Sequence, residues 1–162
     1  MTEASPKRFA CDVMLGKLAR ELRMLGIDVH YDRTHSGMAA YRTARTKGRL
    51  FLTRSSRLRR LPGVVFVESN DPKEQLEQVK KLAGIGTREP PANRCLSCNE
   101  VLEKITREQA RPSVPFYIYQ IHHDFSRCPR CGRVFWPGTH VQQMRKGLGS
   151  SKSSQMRNTK EV

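Results

Sequence analysis

The sequence has few acidic residues and no long apolar run. Its 162 residues contain 15 Asp and Glu against 30 Lys and Arg, and the formal net charge is +15. No segment approaches the roughly 20 consecutive apolar residues that a membrane-spanning helix needs. Residues 1–8 also lack the apolar core of a secretory signal. These absences argue against a membrane or secreted protein, and we expect a cytoplasmic protein with no membrane partner.

Cysteine is scarce, but four of the five cysteines are paired in the sequence. Cys95 and Cys98 form one C-x-x-C, Cys128 and Cys131 form another, and 29 residues lie between them. Two such turns supply four thiolates that converge tetrahedrally on one Zn²⁺. Two disulfides or four free thiols are the alternative. Cys11 lies apart in an apolar run and is interpreted as a reduced core thiol, which favours a reducing compartment.

The positive charge is concentrated in one part of the chain. Residues 42–60 contain no acid and eight basic residues, namely Arg42, Arg45, Lys47, Arg49, Arg54, Arg57, Arg59 and Arg60. A charge excess of this size predicts contact with a polyanion, most simply RNA. A solvated face is the alternative, and an anionic membrane is a weaker one because no basic amphipathic helix is evident.

The first half of the chain alternates short apolar segments with helical periodicity. The predicted strands are residues 8–13, 29–31, 50–53 and 64–67, and the predicted helices are residues 15–25, 38–47 and 71–82. The last helix has a clear start, with Asp71 as N-cap, Pro72 in the first turn and Glu74 completing a capping box. Strands that alternate with crossover helices predict a parallel α/β sheet.

Shifts in composition divide the chain into four segments. We predict an α/β domain over residues 8–83, a linker over residues 84–93 and a zinc ribbon over residues 94–144. Residues 145–162 are rich in Ser, Lys and Gly without periodicity, and we expect them to be a disordered basic tail.

Asp12 is the strongest catalytic candidate because it follows the first predicted strand, at the edge where such sheets carry their sites. The alternative is that its carboxylate caps the next helix. Hydrolysis of a phosphodiester by Mg²⁺ or Mn²⁺ needs several carboxylates, yet acids at strand ends are scarce. Asp32 and Asp71 are weaker candidates, and residues 53–56 contain no acid. The pattern therefore favours polyanion binding over catalysis.

Two further groups of residues are candidates for RNA contact. Arg20 and Arg23 lie one turn apart on the first predicted helix, where they either grip phosphates or pair with acids. Six aromatic residues fall between residues 116 and 136, and they either stack bases or form the core of the ribbon, which is the commoner use. Trp136 and His140, near the end of the ribbon, are also candidates.

Together these motifs resemble the Mut7-C family, in which a PIN-like ribonuclease domain precedes a zinc ribbon. The resemblance rests on residues 11–26, 48–54, 94–99, 114–115, 128–132 and 136–140. It implies a PIN-like α/β fold, an RNA substrate and divalent-metal hydrolysis by a cluster of acids. Asp12 matches the first of these acids. Residues 35–38 and Ser55 stand where two others are expected, and they carry no carboxylate.

Three hypotheses for the function follow. The first is an RNA-binding protein of this ribonuclease family, with a depleted acidic site, a structural Zn²⁺ and a role in RNA processing. The second is an active endo- or exoribonuclease that holds Mg²⁺ or Mn²⁺ with Asp12 and either Asp32 or Asp71. The third is a structural component of a ribonucleoprotein such as the ribosome. The sequence indicates no small-molecule cofactor.

Overall fold

The computed structural model describes residues 7–84 and 93–138, which form two β-sheets with their helices. The first sheet is parallel with strand order β2-β1-β3-β4, and the second is antiparallel with order β5-β6-β7. The elements of the first module are β1 (Phe9–Cys11), α1 (Gly16–Met24), β2 (Val29–Tyr31), α2 (Gly37–Thr46), β3 (Leu50–Thr53), β4 (Val64–Phe66) and α3 (Pro72–Ala83). Those of the second are β5 (Glu103–Ile105), α4 (Arg107–Ala110), α5 (Phe116–Ile121), β6 (Phe125–Arg127) and β7 (Val134–Phe135).

The parallel sheet has an apolar layer on each face because side chains alternate along a strand. Phe9 on β1 and Leu52 on β3 point to the face covered by α1 and α3, where the larger part of the core lies. Their neighbours in the sequence, Ala10 on β1 and Phe51 on β3, point to the opposite face. This second face is covered by α2 and by the segment that joins β3 to β4. The predicted α/β fold with helices flanking a parallel sheet is confirmed.

The connection from β3 to β4, residues 54–63, contains only a short 3₁₀ turn at Ser56–Leu58. Leu58 is buried against the sheet, and the Tyr41 hydroxyl of α2 donates to the carbonyl of Pro62 at 2.9 Å. The connection therefore packs beside α2 on the same face of the sheet. As a result, the basic residues of α2 and those that follow β3 lie in one layer, although a buried strand separates them in the sequence.

The second module has a small core of its own. Ala110, Ile118, Phe125 and Val134 are buried, and Trp136 packs against them. The aromatic cluster of the sequence is therefore divided in the structure. Phe125 and Trp136 belong to the core, whereas other aromatic side chains remain exposed.

The segment boundaries fall partly outside the described residues. The helix α3 ends at Ala83, and its C-cap is Gly84, which has the left-handed φ of 70° that glycine adopts readily. The predicted linker and the end of the predicted ribbon, including His140, lie largely outside the described residues, as does the whole of the predicted basic tail. These boundaries stay predictions.

The start of α3 is as predicted in one respect and different in another. The Asp71 carboxylate accepts hydrogen bonds from the backbone N–H groups of Lys73 (2.7 Å) and Glu74 (3.3 Å), so Asp71 is the N-cap. The predicted capping box is wrong, because the Glu74 carboxylate does not accept from the Asp71 N–H. The hydroxyl of Ser69 stands between them, accepting from the Asp71 N–H at 2.9 Å and donating to Glu74.

We expect the substitution Asp71→Ala to lower the free energy of unfolding by about 1 kcal/mol, because two N–H groups at the start of α3 lose their partner. The measurement is urea denaturation followed by circular dichroism. The substitution Asp71→Asn is the matched control, since Asn is an equally good N-cap. Equal stability of Asp71→Ala and the wild type would contradict the capping role.

Candidate metal centre and candidate acidic site

The two C-x-x-C turns have the same backbone geometry. In the first, the Cys95 N–H donates to the Glu100 carbonyl and the Asn99 N–H donates to the Cys95 carbonyl, both at 2.9 Å. Cys128 and Gly132 make the equivalent bonds in the second turn, also at 2.9 Å. The residue after each second cysteine has a left-handed φ, 64° for Asn99 and 74° for Gly132. The paired turns therefore present their cysteines in the same way.

The four thiols meet at one point between these turns. All four Sγ atoms, those of Cys95, Cys98, Cys128 and Cys131, lie within 4.8 Å of one another. The Sγ atoms of Cys95 and Cys131 are 3.7 Å apart. A tetrahedral ion with metal–sulfur bonds of about 2.3 Å requires sulfur atoms separated by about 3.8 Å. The four cysteines are thus positioned to hold one metal ion, and none of them forms a disulfide.

Burial disfavours the ionisation of two of the four thiols before a metal binds. Burial raises the pKa of Cys98 to about 12 and also raises the pKa of Cys95. A metal ion binds thiolate, so its binding releases the protons that these groups otherwise keep.

The first turn is joined to the α/β sheet by a buried arginine. Arg23, on α1, is only 5% exposed. Its guanidinium donates to the carbonyls of Leu96 (2.9 Å) and Ser97 (3.2 Å), both inside the C-x-x-C, and to the carbonyl of Val29 on β2 (2.9 Å). Four thiolates around a divalent ion carry a formal charge of −2, which a buried guanidinium complements.

Asn99 forms a second joint between the same two parts. Its side-chain carbonyl accepts from the Val29 N–H at 3.1 Å, and its amide donates to the Asp28 carboxylate at 2.7 Å. Asp28 also accepts from Arg49 at 2.6 Å. Burial by itself would raise the pKa of Asp28. The hydrogen bonds from Arg49 and Asn99 have the larger combined effect, and they hold the pKa of Asp28 below its usual range. Asp28 therefore stays ionised at neutral pH.

These contacts bear on two residues predicted to bind RNA. The guanidiniums of Arg23 and Arg49 already bind carbonyl or carboxylate groups within the fold. The sequence analysis did not single out Asn99 and Asp28 as a joint. A signal was present, since an asparagine stands where the second knuckle has a glycine.

Asp12 lies at the carboxyl end of β1 and is 4% exposed. Its carboxylate accepts three hydrogen bonds, from the N–H groups of Val13 (2.8 Å) and Gly37 (3.1 Å) and from the hydroxyl of Thr53 (2.7 Å). It caps the 3₁₀ turn that follows β1 and ties it to the start of α2. The capping alternative raised by the sequence is therefore what the geometry shows.

The fold brings together the positions at which the resemblance expects acids. Gly37 donates its N–H to Asp12, and Ser55 donates its N–H to Thr53 Oγ1 at 3.0 Å, one bond from the same carboxylate. Only one of the three positions carries a carboxylate. These positions therefore lie at one edge of the sheet, with Asp12 as the carboxylate among them.

Asp32 and Asp71, the two weaker catalytic candidates, each bind other groups among the described residues. Asp32 accepts from Thr34 and pairs with His35 at 2.6 Å, and these hydrogen bonds hold its pKa well below the usual range. Asp71 caps α3. Over residues 7–84 and 93–138, the only group of three or more Cys, His, Asp or Glu side chains placed to share an ion is the four-cysteine cluster.

The remaining basic candidates for RNA contact differ in their exposure and in the partners of their side chains. The exposed ones are Arg20, Arg42, Arg45, Lys47, Arg57, Arg59 and Arg60. Arg54 is half-buried and donates to the Val67 carbonyl and to Asn70. Arg59 pairs with Glu68 at 3.2 Å and lies over the Phe66 ring at 4.8 Å. The other exposed guanidiniums of the β3–β4 connection, those of Arg57 and Arg60, make no hydrogen bond or ion pair with the described residues.

Comparison with known proteins fits this description. A family model described as the Mut7-C RNAse domain matches residues 7–148. The chain belongs to the Mut7-C RNAse domain family. The matched residues include the parallel sheet, the four cysteines, and Arg23 and Asn99, which join the first C-x-x-C turn to the sheet. No curated protein and no solved structure matches the chain. None of the described helices has the length and apolar character needed to cross a bilayer.

We expect the double substitution Cys95→Ser and Cys98→Ser to abolish stoichiometric metal binding, because two of the four soft ligands are lost. The measurement is metal content of the purified protein by elemental mass spectrometry. Cys11→Ala is the control, since Cys11 lies in the sheet core, apart from the cluster, and should keep about one ion per chain. An unchanged metal content in the double variant would contradict the four-cysteine site.

We expect the substitution Asn99→Gly to lower the free energy of unfolding by about 1–3 kcal/mol, because the Val29 N–H and Asp28 lose a partner at a half-buried joint. Loss of metal to a competing chelator should also become faster. Gly132→Asn is the matched control. Asparagine tolerates the left-handed φ of this position better than most residues, a Cβ there meets nothing within 4 Å, and the loss of stability should be smaller than that of Asn99→Gly because no side-chain hydrogen bond is removed. Similar effects at the two positions would rule out a specific joint at Asn99.

Proposed function

We propose that this member of the Mut7-C RNAse family is an RNA-binding protein whose hydrolytic site is depleted of acids. The observation that carries the proposal is the contrast between two surfaces. Of the three positions at which the resemblance expects acids, only Asp12 carries a carboxylate, and that carboxylate is engaged in capping. The layer beside it is uniformly basic.

The basic layer is the proposed RNA surface. Between Asp32 and Glu68 the chain has no acid and nine basic residues. Because α2 and the β3–β4 connection pack on the same face of the sheet, most of these residues contribute to one surface. Arg57 and Arg60 are exposed and make no hydrogen bond or ion pair with the described residues, so their guanidiniums are available to phosphates. The proposed contacts are Arg42, Arg45, Lys47, Arg54, Arg57, Arg59 and Arg60, with Arg20 on the other face as a separate one.

The depleted site argues against hydrolysis as the main activity. A Mg²⁺ or Mn²⁺ ion in a nuclease is held by several oxygens from carboxylates and the substrate phosphate. Here the Asp12 carboxylate is buried and already accepts three hydrogen bonds. If Asp12 bound a metal ion, its carboxylate would have to break some of these hydrogen bonds, and no carboxylate at residues 35–38 or at Ser55 would share the ion.

We propose that the ion held by the four cysteines is zinc and that its role is structural. Four thiolates in tetrahedral geometry favour Zn²⁺ and leave no open position for a reacting water. The second module is too small to bury a large core, and a metal stabilises modules of this kind. RNA in a cytoplasmic ribonucleoprotein is the proposed partner, in a processing or scaffolding role.

We expect the double substitution Arg57→Gln and Arg60→Gln to weaken RNA binding and to reduce the slope of log K against log salt by about 1.5, since each lost phosphate contact contributes about 0.7–0.9. The measurement is fluorescence anisotropy with a labelled RNA at several salt concentrations. Lys17→Gln with Lys81→Gln is the matched control, because it removes the same charge from exposed positions of α1 and α3 on the opposite face. Equal effects of the two pairs would mean that net charge, and not this surface, attracts RNA.

We expect no metal-dependent cleavage of single-stranded or structured RNA by the wild type in Mg²⁺ or Mn²⁺. The variant Gly37→Asp with Ser55→Asp should acquire cleavage, because it places two carboxylates beside Asp12. A Cβ at Gly37 meets nothing within 4 Å, and aspartate tolerates its φ of 55° better than most residues. Cleavage by the wild type that Asp12→Asn abolishes, while melting temperature is kept, would instead establish an active nuclease.

A further inference from the structure

The helix α5 in the second module presents apolar side chains to solvent. Phe116 is 69% exposed, Tyr117 is 54% exposed and Ile121 is 66% exposed. These values are high for side chains of this type in a small domain, where apolar area is scarce. The exposure therefore calls for a physical explanation other than the stability of the module.

The exposure is not the result of a loosely attached helix. Ile118, on the opposite side of α5, is buried in the module core with Phe125. The Arg107 guanidinium donates to the Tyr119 carbonyl at 2.5 Å and stacks on the Tyr119 ring at 4.2 Å. With one side of the helix held in this way, the side chains of Phe116 and Tyr117 are directed outward.

The segment of sequence that carries the exposed rings contains no acid. Between Glu108 and Asp124 the chain contains Arg111 and two histidines and no carboxylate. The guanidiniums of Arg107 and Arg111 lie 4.2 Å and 5.9 Å from the ring of Tyr119, which is on α5. Exposed aromatic rings in a segment that contains arginine and no acid suit single-stranded nucleic acid, because every base has a face that stacks and every nucleotide has a phosphate.

The size of the patch also favours a base over a protein. Three side chains at this exposure present roughly 400 Å², about half of the roughly 800 Å² that each partner buries in a stable protein interface. That area suits one or two stacked bases. We propose that Phe116 and Tyr117 form a stacking platform for unpaired bases of RNA. This proposal rests on the proposed function and adds a second contact, for unpaired strands, to the basic layer on the sheet.

The test compares the full-length wild type with the double substitution Phe116→Leu and Tyr117→Leu, which keeps the apolar character and removes the aromatic rings. The probes are a labelled 12-nucleotide single-stranded RNA of mixed sequence and a blunt duplex of the same sequence. We expect single-strand affinity to fall about five- to hundredfold, with duplex affinity and the salt slope unchanged. Ile121→Ala is the matched control, and it should leave both affinities unchanged.

A second variant gives a direct signal. Phe116→Trp should keep single-strand affinity, and its added fluorescence should be quenched by the single-stranded RNA and not by the duplex. Metal content and melting temperature are compared across all variants, and they should not differ because the substituted side chains are exposed.

Three outcomes would overturn the inference. Unchanged single-strand affinity in the leucine variant, with affinity lost in Arg57→Gln and Arg60→Gln, would remove the platform and leave the proposed function standing. A wild type that binds neither probe would remove both. A dimer seen by sedimentation that Ile121→Ala dissociates would show that a second copy of the chain covers the helix.

Discussion

The contact between Arg23 and the first C-x-x-C turn is the interaction on which the arrangement of the two modules depends. The guanidinium binds the carbonyls of Leu96 and Ser97 and, at the same time, a carbonyl of β2. A buried cation is costly unless it is fully hydrogen-bonded, so the turn must be present and correctly folded for α1 to keep this arginine inside. Metal binding at the cysteines and packing of the α/β sheet are therefore linked through one side chain.

The same economy of polar groups explains the acidic site. A buried carboxylate needs hydrogen-bond partners. The partners of Asp12 are the N–H of Val13 in the turn after β1, the N–H of Gly37 at the start of α2, and the hydroxyl of Thr53 on β3. This network holds together three elements of the sheet edge whether or not any chemistry takes place there.

The proposed RNA contacts also follow from topology. A parallel sheet requires a crossover between successive strands, and the crossover from β3 to β4 is short, so it packs beside α2. The basic side chains of residues 42–60, a stretch of 19 residues, are therefore brought into one layer of the structure. The platform on α5 belongs to the other module, and the joint at Asn99 and Arg23 fixes the module that carries it against the sheet.

The sequence by itself determined the order of strands and helices, the parallel sheet and the four metal ligands, because apolar periodicity and the C-x-x-C spacing are local patterns. It also marked Asp71 as a helix cap for the same reason. Only the tertiary structure decided that the guanidiniums of Arg23 and Arg49 bind carbonyl and carboxylate groups within the fold, that Phe116 and Tyr117 face solvent while Phe125 is buried, and that Asn99 joins the modules. The partners of Asn99 lie 70 and 71 residues away in the chain, and a contact between such distant residues leaves no local pattern to read.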